Sequence, residues 1–123
     1  MSERSSIIKI GSENYELILT TKATREIAKR YGGLSNLGDK LSSQDNFEGA
    51  LDEIVWLITL LANQSILIYN LQNPNAKKTL LTEESVSILT SPYELAEYKE
   101  AITEALYKGT KREVVSEDNP KNA

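Results

Sequence analysis

The sequence predicts a mostly α, α+β chain: an N-terminal β-hairpin followed by a helical domain around one long apolar central helix. Three observations lead there. Short runs of alternating apolar residues flank a turn-rich Gly-Ser-Glu-Asn near the start. The stretch EIVWLITLLANQSILIYNL, Glu53 to Leu71, is too long for a strand and apolar on most sides of a helix. Capping and stop residues then divide the remainder into helices.

The hairpin is expected over residues 7–19. Ile8 and Ile10 alternate with Lys9 on the first arm, and Tyr15, Leu17 and Leu19 recur on the second. A lone hairpin is marginal in water, so it must lie on the helices that follow. The first helix is expected over 21–31. Thr20 or Thr21 can cap it, Ala23, Ile27 and Tyr31 share a face, and Gly32–Gly33 end it. Leu34, Leu37 and Leu41 suggest a short helix that Gly38 weakens.

Asp45 and Glu48 have capping-box spacing and open the central helix, 46–72. Pro74 biases Asn73 away from the helical region and closes it. Thr82 caps a brief helix through Leu89. Ser91, Pro92 and Glu94 start the last one, 92–108, which buries Leu95, Tyr98, Ile102 and Ala105 and is expected to stop at Gly109. One globular domain over 1–109 and a polar, aperiodic, disordered tail over 110–123 complete the expectation.

Wrapped at about 100° per residue, the central helix gathers Glu48, Asp52, Thr59, Asn63 and Asn70 into one narrow polar stripe. Trp56, Leu60, Leu67 and Leu71 flank it on one side; Val55, Ala62 and Ile66 flank it on the other. The apolar arc is wider than a surface helix needs. Neighbouring elements would cover much of it. The edge formed by Trp56, Leu60, Leu67 and Leu71 is the candidate partner-binding site, facing either another copy of the chain or a client.

Composition excludes several classes. The chain has 123 residues, a net charge of −4 and scattered Lys–Arg pairs, which argues against nucleic-acid binding. It has no Cys and no His, so the usual nucleophiles, bases and metal ligands are missing; no catalytic residue, metal or cofactor is expected. Glu48, Asp52 and Glu53 are close in sequence, but acidic residues suit a helix start without any acid–base role. The glycines of YGGLSNLG fit neither a P-loop nor a dinucleotide fingerprint. The six tyrosines are read as core edges. A membrane span is not expected, because the unbroken apolar run is short and Asn63, Gln64 and Ser65 fall near its centre. With no secretory signal at the start, the expected site of action is the cytoplasm.

IGSENYELILTTKATREIAKRYGGLSNLGDKL resembles the opening of tail assembly chaperones from tailed bacteriophages and prophages of Gram-positive hosts. The resemblance rests on the Gly11 hairpin, Tyr15 and Leu17, the Thr21–Ala23 helix start and the Tyr31-Gly32-Gly33-Leu34 helix stop. The helix ALDEIVWLITLLANQ follows, so residues 7–70 are covered. Small tail proteins of gene transfer agents are similar more weakly. The resemblance implies a non-enzymatic protein of the bacterial host cytoplasm. It would keep the apolar tape-measure protein soluble and recruit tail tube subunits until the tube forms around it. It also implies a short product of a frame that ribosomal frameshifting extends. Two other readings stay open: a structural phage tail component that polymerises by itself, and a small regulatory protein-binding module.

Overall fold

The structure, a computed structural model, describes residues 5–37 and 47–122, with side-chain detail over 6–37 and 50–109. Strands β1 (Ser5–Ile10) and β2 (Glu13–Ile18) form an antiparallel hairpin. Helix α1 (Thr21–Tyr31) follows, then α2 (Phe47–Gln72), α3 (Glu83–Leu89) and α4 (Pro92–Asn122). This is the mostly helical arrangement with an N-terminal hairpin and one long apolar helix that the sequence predicts.

The hairpin turn is tighter than expected. Only Gly11 and Ser12 lie between Ile10 and Glu13, and Glu13 and Asn14 belong to β2. Gly11 takes a φ of 65° and among the described residues no non-glycine residue has positive φ, which matches a turn with glycine at its first central position. A two-residue loop makes Ile10/Glu13, Ile8/Tyr15 and Ser6/Leu17 the hydrogen-bonded pairs. The carbonyl of Lys9 therefore points out of the ladder, and there the Tyr98 hydroxyl of α4 donates to it. Ser6 Oγ donates to the Ala101 carbonyl at 2.9 Å, so α4 seals the β1 side of the hairpin. β2 lies on α2.

Thr20 is the residue that caps α1: its side chain accepts from Ala23 N–H, and Gly32, left-handed at φ 88°, ends the helix through a bond from its N–H to the Ala28 carbonyl. Residues 34–37 are helical, and Leu37 is fully buried; the rest of the short helix expected there lies outside the described residues. So do Asp45 and the side chain of Glu48, and with them the proposed capping box.

The core is one cluster built on α2. Ile54, Leu57, Ile58 and Leu61 are fully buried against Ile8, Ile10 and Leu17 of the hairpin, Ala23 and Ile27 of α1, and Tyr98, Ile102 and Ala105 of α4. Each such aliphatic side chain contributes about 1.5–3 kcal/mol by leaving water. Of the tyrosines, Tyr15, Tyr31 and Tyr98 edge this core as expected, whereas Tyr93 and Tyr107 are exposed.

The last helix differs most from expectation. Its backbone stays helical to Asn122, through Gly109 and the stretch read as a disordered tail. Gly109 has a use other than ending the helix. A Cβ there would sit 2.8 Å from Cβ of Leu19, so the glycine lets α4 pass close over the end of the hairpin. A close-approach glycine and a helix-stop glycine look alike in sequence.

Candidate interaction surface on the central helix

Each edge of α2 has a distinct use. Trp56 and Leu60 are half-buried and packed against the core, Leu67 is half-buried, and Leu71 is 84% exposed. The four share a stripe, but only its C-terminal end presents apolar surface freely.

At the N-terminal end, Trp56 belongs to a polar and aromatic cluster. The Arg30 guanidinium sits 4.5 Å from the centre of the Trp56 ring, and Tyr31 meets that ring edge-on at 5.9 Å. Glu53 accepts from Arg30 Nε at 3.2 Å and from the Tyr31 hydroxyl. Burial, reinforced by the hydrogen bond to Glu53, pushes the Tyr31 phenol well above its ordinary value of 10.0. α1 supplies Arg30 and Tyr31 from its last turn, and α2 supplies Glu53 and Trp56 one turn apart. Glu53, adjacent to the exposed Asp52, is thus engaged in a surface ion pair. Trp, Tyr and Arg are the residue types that dominate protein interfaces. Among the described residues no group of acidic side chains is placed to hold a metal ion.

Midway, Gln64 is 3% exposed despite its polarity. Its Oε1 accepts from Thr20 Oγ1 at 2.6 Å and its Nε2 donates to the Leu60 carbonyl at 2.9 Å. The Thr20 hydroxyl thereby both caps α1 and anchors it to α2. No buried side-chain polar atom among the described residues lacks a partner.

The polar stripe is where sequence reasoning missed most. Asn63 Nδ2 donates to the Leu81 carbonyl at 2.9 Å, and Leu81 N–H donates back to Asn63 Oδ1 at 2.8 Å. Asn70 does the same to Lys78, at 3.1 and 2.8 Å. The chain reverses after α2 through a turn in which Ala76 N–H donates to the Asn73 carbonyl, then runs back along the helix as a strap. Seven residues of helix rise about 10.5 Å. Three residues of extended chain span about 10 Å. Asparagines seven apart therefore meet every third residue of an extended segment. Two asparagines at heptad spacing inside an apolar helix were the available signal.

The strap also forms one wall of an open cleft. β2 from Glu13 to Glu16 makes the other wall, and Ser65, Ile66 and Tyr69 lie on the floor. Lys78 Nζ sits 4.3 Å from the centre of the Tyr69 ring.

Ala50–Gln72 is long and apolar enough to cross a bilayer, a property that the core helix of a soluble protein shares. Half of its most apolar window is buried within the chain itself. Comparison with protein families, with curated proteins and with solved structures finds no match to this chain.

Proposed function

We propose that this chain is a non-enzymatic tail assembly chaperone of the kind made by tailed bacteriophages and prophages of Gram-positive hosts. It binds the tape-measure protein in the host cytoplasm, keeps it soluble and aids assembly of the tail tube. The observation that carries the reading is the edge of α2 that runs from the Trp56–Tyr31–Arg30 cluster at one end, past the half-buried Leu67, to the exposed Leu71 at the other. A holdase for an apolar helical client needs such an edge, net charge for solubility and no cofactor. The resemblance of residues 7–70 to that family supplies the identity of the client.

The test is co-expression with the tape-measure protein of the tail gene cluster that encodes the chain. The expected result is a soluble complex that Leu71→Ser weakens several-fold without changing the stability of the chain. A tape-measure protein that stays insoluble, or binding indifferent to Leu71→Ser, overturns the reading. Spontaneous polymerisation of the chain into rings or tubes would favour a structural tail component instead.

A further inference from the structure

We propose that Asn63 and Asn70 form a binding site for an extended peptide, which the chain's own strap, residues 76–82, occupies in its resting state. The site reads backbone. Each asparagine engages both the N–H and the carbonyl of one strap residue, Leu81 and Lys78, so four hydrogen bonds carry no side-chain identity. The strap's own side chains hold it lightly: Lys77, Lys78, Thr79 and Leu80 are exposed, Leu81 is half-buried against the core, and Lys78 Nζ rests on the Tyr69 ring. The matching occupant is thus an extended segment with an apolar side chain at the Leu81 position and, at the Lys78 position, a side chain that can lie over the Tyr69 ring as Lys78 does. The mode is backbone recognition with one side-chain pocket.

What lies beside the strap strengthens the assignment. The strap covers the stripe that separates the two apolar flanks of α2, with Leu67 and Leu71 on one side and Ile66 on the other. Its displacement joins those flanks into one surface, continuous with the cleft floored by Ile66 and Tyr69. A peptide that replaces the strap gains the same four hydrogen bonds and can extend its side chains over either flank.

The probe is a capped, fluorescent synthetic peptide of residues 76–82, titrated against the full chain by anisotropy. In the strap-released variant Lys78→Pro/Leu81→Pro, both N–H donors are gone while the strap stays compatible with an extended path. We expect the peptide to bind this variant about tenfold or more tightly than the unaltered chain, and Asn63→Leu/Asn70→Leu in addition to abolish the gain. No gain in a released variant whose α2 amides stay protected overturns the proposal, as does binding that survives loss of both asparagines. If the released variant fails to fold, hydrogen exchange on the unaltered chain decides. The amides of Lys78 and Leu81 must exchange by local opening, about a hundredfold faster than those of Ile58 and Leu61. Equal rates would make the strap a permanent part of the core and overturn the proposal.

Discussion

Gly109→Ala pits two effects of known size against each other. In an exposed helix, replacing glycine with alanine stabilises by about 1 kcal/mol, because the free chain loses entropy. Here the new Cβ would stand 2.8 Å from both Cβ and Cδ2 of Leu19 and 3.2 Å from its Cγ. Rotation of the Leu19 side chain can move Cδ2 and Cγ away but leaves its Cβ in place, so either α4 or the hairpin end must shift. Overpacking of this kind costs about 1–3 kcal/mol, and Leu19 is itself buried, which limits relaxation. The net expectation runs from near-neutral to destabilisation by about 2 kcal/mol. With a urea m-value of roughly 1–3 kcal/mol/M, a net cost of about 1 kcal/mol lowers the denaturation midpoint by about 0.3–1 M at unchanged m. Leu19→Ala does not rescue the variant, since the clashing Cβ remains. A midpoint that rises on Gly109→Ala would refute the close approach and restore Gly109 to the helix-stop role its sequence context suggests.

Other expectations follow from the same contacts. Thr20→Ala removes the α1 cap and strands the buried Gln64 Oε1, costing about 2–4 kcal/mol; Gln64→Leu costs less, and a double-mutant cycle shows the two coupled. Thr82→Ala breaks the reciprocal cap with Ser85 and costs about 1 kcal/mol, read as faster amide exchange confined to α3. Because the folded Tyr31 holds its proton more tightly than the unfolded chain does, its stabilisation is complete below pH 10.0 and is lost as pH rises above that value. Burial raises Tyr15 and Tyr98 in the same direction, so Tyr31→Phe reduces the alkaline loss of stability without abolishing it. Tyrosine ultraviolet titration together with alkaline unfolding curves checks this.

Where one residue type has one strong use, the fold is legible in the sequence. Thr20, Thr82 and Ser91 cap helices because a short hydroxyl before a helical run has few better roles, and in each case the expected backbone N–H is bonded. Ala23 and Ile27, like Leu95, Tyr98, Ile102 and Ala105, are core because the period of 3.6 leaves them no other face. Legibility fails where a residue type has two uses that only tertiary contact separates. Gly109 is one case. Asn63 and Asn70 are another: a polar residue on a helix surface reads as solvated until the segment it bonds, 18 residues later for Asn63 and 8 for Asn70, is placed against it. Trp56 is a third, since its half-burial depends on Arg30 and Tyr31 arriving from a different helix.

The seal on β1 has a consequence in time. Ser6 and Lys9 find their partners at Ala101 and Tyr98, separations of 95 and 89 residues. At a synthesis rate of roughly 5–20 residues per second, the outer edge of β1 stays uncovered for roughly 5–20 s after it is made. A bare strand edge invites pairing with another chain. Neighbouring nascent chains on one message are the nearest candidates. Slowing translation between Ile10 and Pro92 should therefore lower the soluble yield of this chain more than the same delay placed after Ala105.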